Sequence, residues 1–212
     1  MTHPNKAIIF DFGNVLLDWQ PHRVFQRFFP DGPQAVEAFL AEIEFMEWNR
    51  KQDLGRSFAE AVADHSAKFP QYAHIIPAYD VHYEDSIVGP IEGTVAILRK
   101  LKEAGVPLYG LSNYSTEKFQ VVREKYAFFD WFDDILISGE VGLVKPDPAI
   151  FHLLLAKIRR VAEECIFIDD SSANVKSAQG LGFTAIQFHS PEQLEQDLRA
   201  LEIFGRPFRP TT

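Results

Sequence analysis

Six residues carry the chemistry this chain could perform: Asp11, Ser112, Asn113, Lys145, Asp169 and Asp170. Asp11 closes the apolar run Ala7-Ile-Ile-Phe10, Ser112-Asn113 follows the run Val106 to Leu111, and Asp169-Asp170 closes Cys165-Ile-Phe-Ile168. Lys145 stands in the loop after Ile135-Leu-Ile137. A carboxylate at the end of a buried strand is costly unless it is paired, caps a helix or meets a metal ion. Asp11 alone reads equally well as a helix cap. Three carboxylates at one rim are different, because they repel one another unless a hard cation joins them. Mg²⁺ takes one or two carboxylates together with waters and substrate phosphate. Ser112, Asn113 and Lys145 would then hold the non-bridging oxygens of an anion.

The elements that must bring these residues together follow from periodicity. The apolar runs ending at Phe10, Leu111, Ile137 and Ile168, and a fifth from Thr184 to Phe188, read as short strands buried on both faces. Amphipathic helices are expected between them: Glu92 to Ala104, Thr116 to Tyr126, one starting at Asp147-Pro148, Asn174 to Leu181 and Glu192 to Leu201. Strands alternating with helices predict a doubly wound α/β fold, a parallel Rossmann-like core sheet of five or more strands. Parallel strands share a direction, so all six residues fall at one rim. Residues 18–88 are too long for a bare loop and carry helical spacing, such as Val36, Phe39, Leu40 and Ile43. They predict an inserted helical cap of four or five helices, with 1–17 and 89–212 forming the core. The tail from Ile203 to Thr212 is expected to be extended.

Composition narrows the function. The 212 residues are 46% hydrophobic, enough for a sizeable core. Net charge is −9, and 18–88 holds 6 Lys/Arg against 12 Asp/Glu. That balance argues against a nucleic acid or an acidic membrane as partner, since both need clustered Lys/Arg. The single Cys165 excludes a disulfide framework, and no Cys/His cluster has zinc spacing. No signal-like or membrane-length segment is visible, so a cytoplasmic protein, monomer or homodimer, is expected.

Taken together, Asp11-Phe-Gly-Asn-Val, Leu111-Ser-Asn113, Lys145-Pro146 and Phe167-Ile-Asp-Asp170 resemble the four ordered motifs of the haloacid dehalogenase superfamily. The insert after the first motif is similar to that superfamily's type-1 helical cap. The resemblance implies that Asp11 is a nucleophile forming an aspartyl-phosphate and that Asp11 and Asp170 bind Mg²⁺. Asp169 would be a further ligand or stand behind the ligands, while Ser112, Asn113 and Lys145 bind the phosphoryl group. It implies a Mg²⁺-dependent phosphatase acting on a small phosphorylated metabolite.

One position departs from the pattern. Phosphatases of the superfamily usually carry a second Asp two residues after the nucleophile, as general acid and base; here Gly13 stands there. Its backbone carbonyl can still bind Mg²⁺. Either the substrate has a good leaving group, or Asp18, His22, Asp53 or a water supplies the proton, or the chain binds phosphate with little turnover. The Asp-x-Gly-Asn form is similar to that of bacterial α-D-glucose-1-phosphate phosphatases of this superfamily, which points to a sugar phosphate. A 2-haloacid dehalogenase is the rival enzyme. Such dehalogenases carry Tyr-Gly-Thr and Ser-Ser-Asn where this chain has Gly13-Asn14-Val15 and the acidic pair. Within the insert, Trp48 to Arg56 reads as a loop reaching over the site, with Trp48, Asn49, Asp53 and Arg56 as specificity candidates or as an ordinary solvated turn.

Overall fold

The computed structural model describes residues 6–203. The central strand β1 (Ala7–Phe10) has four residues at 0% exposure, because it is covered on both faces. Ile8 and Phe10 face one core and Ala7 and Ile9 the other, the two-residue alternation of a strand. It pairs in parallel with β4 (Leu108–Ser112) and β6 (Cys165–Asp169), and β5 (Asp134–Ile137) and β7 (Thr184–Gln187) complete the order β5-β4-β1-β6-β7. The chain builds outward from β1 through β4 to β5, then returns to the other side of β1 for β6 and β7. Strand order reverses between β1 and β6, and in such sheets ligands bind at the carboxyl ends of the strands at that reversal. Asp11 follows β1, and Asp169 ends β6 with Asp170 directly after it.

Helices α6 (Glu92–Glu103) and α11 (Pro191–Ala200) bury Leu98, Leu101, Leu194 and Leu198 in one core. On the other face, α9 (Pro148–Ile158) and α10 (Ser172–Gly180) bury Ile150, Phe151, Leu154 and Ala178. The expected start of α9 is seen in detail: the Asp147 side chain accepts from Ala149 N at 2.8 Å and Pro148 opens the first turn. Strand and helix bounds agree with the periodicity to within about two residues throughout this half.

Between β1 and α6 the chain forms β2 (Leu17–Trp19), five α-helices joined in part by short 3-10 turns, and β3 (Ile87–Pro90). The antiparallel β2–β3 pair was not visible in the sequence, because β2 has three residues and β3 contains glycine and proline. The helices are α1 (His22–Phe25), α2 (Pro33–Glu42), α3 (Phe45–Asp53), α4 (Phe58–Lys68) and α5 (Ala78–Val81). They gather around Tyr79, which is wholly buried and lies 4.9 Å from the Phe45 ring, 5.9 Å from Trp48 and 6.0 Å from Phe25. Trp19 Nε1 donates to the Tyr79 hydroxyl at 3.2 Å, tying the hairpin to this aromatic centre.

One local expectation is corrected. Trp48 to Asp53 is helix, not loop. Phe45, Trp48 and Gln52 recur at helical spacing and are buried, while the charges between them face outward and mask the pattern. Apart from Ile203, the C-terminal tail lies outside the described residues. Among the described residues no helix is long and apolar enough to cross a membrane.

Candidate active site

At the end of β1 the Asp11 carboxylate is held firmly on one oxygen. Its Oδ1 accepts from Phe12 N at 2.7 Å and Ser112 Oγ at 2.7 Å, and lies 3.0 Å from Lys145 Nζ. Its Oδ2 has no donor among the described residues. Phe12 fixes the backbone here, because its ring is wholly buried against Phe119 at 5.6 Å and Phe129 at 4.9 Å. Burial pushes Asp11 up to about 7, although the Lys145 charge pulls it down.

Lys145 is buried and makes a second ion pair at 2.6 Å with Asp169 Oδ2, and it donates to Leu111 O at 2.8 Å. Burial favours the neutral amine, but Asp11 and Asp169 outweigh it and hold Lys145 above its ordinary value. Asn113 aims the lysine: its Nδ2 donates to Lys145 O at 2.9 Å and its Oδ1 accepts from Lys145 N at 2.8 Å. The Asn113 side chain, expected to hold the anion, thus also positions Lys145.

Carboxylate oxygens of Asp11, Asp169 and Asp170 lie within 4.8 Å of one another, a hard-oxygen set that suits a divalent cation. The three are not equivalent. Asp169 is wholly buried and its oxygens accept from Ser171 N, Asn174 Nδ2 and Lys145 Nζ at 2.6 to 3.1 Å. Asp170 is half-buried and receives one long bond, 3.3 Å from Asn14 Nδ2. Burial and the Asp169 charge hold Asp170 above the usual carboxylate range. A cation thus fits Asp11 and Asp170, with Asp169 behind them anchoring Lys145.

A cavity of about 510 Å³ opens over this rim. It is lined by Asp11, Gly13, Ser112, Asn113, Lys145 and Asp170, and from α3 by Asn49 and Asp53. Asp18, His22, Trp48 and Arg56 are absent from its lining. Asp18 accepts from Gln20. Trp48 belongs to the helical core and donates to Ala61 O at 3.0 Å, and Arg56 Nε donates to Gln52 Oε1 at 2.9 Å. Two contributors went unread in the sequence. Arg50 lines the cavity one turn before Asp53 on α3. Asn14, at φ 55°, bridges Asp170 and, through Oδ1, Trp19 N at 3.3 Å. Asparagine directly after glycine at a strand end was its signal, since asparagine tolerates the left-handed region.

A family model described as haloacid dehalogenase-like hydrolase matches residues 5–182. The drimenol cyclase drtB of Aspergillus calidoustus is 36% identical over 110 residues, which cover 52% of this chain and 20% of drtB, so the chain spans a fifth of that relative. The sesquiterpene phosphatase astK of Aspergillus oryzae is 28% identical over 201 residues, covering 92% of this chain and 96% of astK. Among solved structures, the wild-type HAD family enzyme bt-2542 of Bacteroides thetaiotaomicron, in complex with magnesium and inorganic phosphate, is similar at a TM-score of 0.69. Its identity is 26%, over 87% of this chain and 94% of that one. With the family model spanning both halves of the sheet and the rim between them, the chain belongs to the haloacid dehalogenase-like hydrolases.

Proposed function

We propose that this chain is a Mg²⁺-dependent phosphatase that hydrolyses a small phosphorylated metabolite through an aspartyl-phosphate on Asp11. The observation that carries the reading is the asymmetry of that carboxylate. Oδ1 is tethered by three donors while Oδ2 is left for attack on phosphorus, beside Lys145 and Ser112. Asp11, Asp170 and the Gly13 carbonyl would hold Mg²⁺, which when bound offsets the charge of the phosphoryl oxygens and of the crowded carboxylates. Lys145 and the Ser112 hydroxyl orient the phosphoryl group, and the helical segment between β2 and β3 serves as a cap that limits water at the site. The wild-type bt-2542 complex with magnesium and inorganic phosphate supports this reading.

For the organic part of the substrate, a sugar phosphate is the first reading, supported by the Asp-x-Gly-Asn form and by the polar Asn49, Arg50 and Asp53 in the cavity. A second reading is a phosphate with an apolar body. Leu17, Trp19, Met46, Phe58 and Ile87 also line the cavity, and astK is a sesquiterpene phosphatase.

The test is p-nitrophenyl phosphate hydrolysis with and without Mg²⁺ by wild type and Asp11→Asn, alongside chloride release from 2-chloropropionate. Phosphate release that requires both Mg²⁺ and Asp11 is expected. Asp11→Asn should keep the wild-type circular dichroism spectrum, and full activity in that variant would end the covalent scheme. Phosphate binding without turnover in the wild type would instead favour a phosphate-binding protein. Glucose 1-phosphate compared with farnesyl phosphate, in the same assay, separates the two substrate readings.

A further inference from the structure

A phosphomonoester with an alkyl leaving group needs a proton on its departing oxygen, and Gly13 has no side chain to give one. Among the described residues, four carboxylates line the cavity: Asp11, Glu47, Asp53 and Asp170. Asp11 and Asp170 sit at the sheet rim with the nucleophile and cation positions. Glu47 is exposed. Asp53, half-buried at the last position of α3, comes from the helical segment.

Its position is fixed from the sheet side. The buried Ser138 hydroxyl, at the start of α8 (Ser138–Val141) directly after β5, donates to Asp53 O at 2.6 Å and accepts from Tyr114 N at 2.9 Å. Two residues on, the backbones nearly touch: a Cβ on Gly55 would lie 2.9 Å from Gly139 O. The carboxylate itself is lightly engaged. Oδ2 accepts one long bond of 3.4 Å from Asn49 Nδ2, and Oδ1 has no donor among the described residues. Its charged neighbours are Lys145 at the rim and Arg50 on α3, and the phenols of Tyr79, Tyr83 and Tyr114 feel its charge.

We propose that Asp53 is the general acid and base of the reaction, replacing from the helical segment the side chain that Gly13 lacks. The inference rests on the phosphatase reading above. In the first half-reaction a bond forms between Asp11 Oδ2 and phosphorus while the bond from phosphorus to the leaving oxygen breaks. The Asp53 carboxylic acid passes its proton to that oxygen, and the alcohol departs. In the second, the Asp53 carboxylate takes a proton from the water whose oxygen attacks phosphorus. The bond to Asp11 breaks, phosphate leaves, and both carboxyl groups return to their starting states. In support, burial holds Asp53 up at about 7 against the pull of Lys145 and Arg50, so both protonation states are accessible near neutral pH.

The test compares wild type and Asp53→Asn, with Mg²⁺, on p-nitrophenyl phosphate and 2-phenylethyl phosphate. On 2-phenylethyl phosphate kcat/KM should fall by ~10²–10⁴-fold, the usual contribution of a positioned acid. On p-nitrophenyl phosphate kcat/KM should fall only a few-fold, because p-nitrophenolate leaves without a proton. There kcat should drop further, with an initial burst of p-nitrophenol stoichiometric with enzyme, because hydrolysis of the phosphoenzyme has lost its base. A uniform fall on both substrates without a burst, or no fall on either, overturns the assignment. Should Asp53→Asn not fold, Asp53→Ser is read by the same criteria. A wild type silent on both substrates marks failure of the phosphatase reading itself.

Discussion

Lys145 extends one ammonium group, itself out of contact with solvent, to Leu111 O, Asp11 and Asp169, so its charge holds two buried carboxylates at one rim. Lys145→Met leaves both without a cation, and removing one partner of a buried pair costs about 3–5 kcal/mol. Urea unfolding should show that loss, together with loss of turnover. Asp53 gives a pH signature. Its carboxyl, raised to about 7 by burial, keeps its proton on the acid side and loses it above. The ratio of kcat/KM on 2-phenylethyl phosphate to that on p-nitrophenyl phosphate cancels the titrations common to both substrates. It should fall as pH rises through about 7 in wild type and stay flat in Asp53→Asn. Asp11, Ser112 and Asp170 could be placed from sequence because each ends or follows a strand, and strands declare themselves by apolar runs; Lys145 lies farther on, past the short α8 that follows β5. Asn113 was read in the right place, but its pairing with the backbone of Lys145 was not, because no pattern of residue types encodes such a pairing.

At the level of elements, the loop after β1 takes its shape from a ring packed over a glycine. Gly110 on β4 pairs with Phe10, and a Cβ there would overlap Phe12 Cζ and lie 2.9 Å from its Cε1 and 3.1 Å from Ile135 Cγ1. Gly110→Ala therefore overpacks the wall that holds Asp11, at a cost of about 1–3 kcal/mol, and should lower both the melting temperature and kcat. Gly180, at the end of α10, has nothing within 4 Å of a built Cβ, so Gly180→Ala should be neutral or stabilising by up to ~1 kcal/mol. Differential scanning calorimetry on the pair separates packing from backbone entropy. The sheet helices were legible because their apolar stripes are uninterrupted. In α3 the stripe is broken by charges and completed by Gln52, whose buried amide donates to Trp48 O at 2.6 Å. A polar residue satisfied by its own helix is invisible to a hydrophobic period, so the segment read as loop and Trp48 and Arg56 were sent toward the site.

Across the whole molecule, the site is complete only where the helical segment meets the sheet rim, and that seam is tight at three places. Ser138 holds Asp53 O, Gly55 abuts Gly139, and Lys118 bonds to Asp80 while lying 4.4 Å over the Phe58 ring. Gly55 also has φ +99°, a conformation L side chains rarely adopt. In Gly55→Ala, strain and contact with Gly139 act together, and the α3 end carrying Asp53 must move from the rim. Gly105→Ala supplies the contrast, since φ is +71° there but a Cβ meets nothing within 4 Å, at the far end of α6. Both variants should lose roughly 1–2 kcal/mol of stability through the left-handed backbone. Only Gly55→Ala should also depress kcat/KM on 2-phenylethyl phosphate relative to p-nitrophenyl phosphate, because it alone displaces the proton donor while leaving Asp11 and Lys145 on their strands. Equal ratios in the two variants would show that the seam contributes stability without setting the position of Asp53.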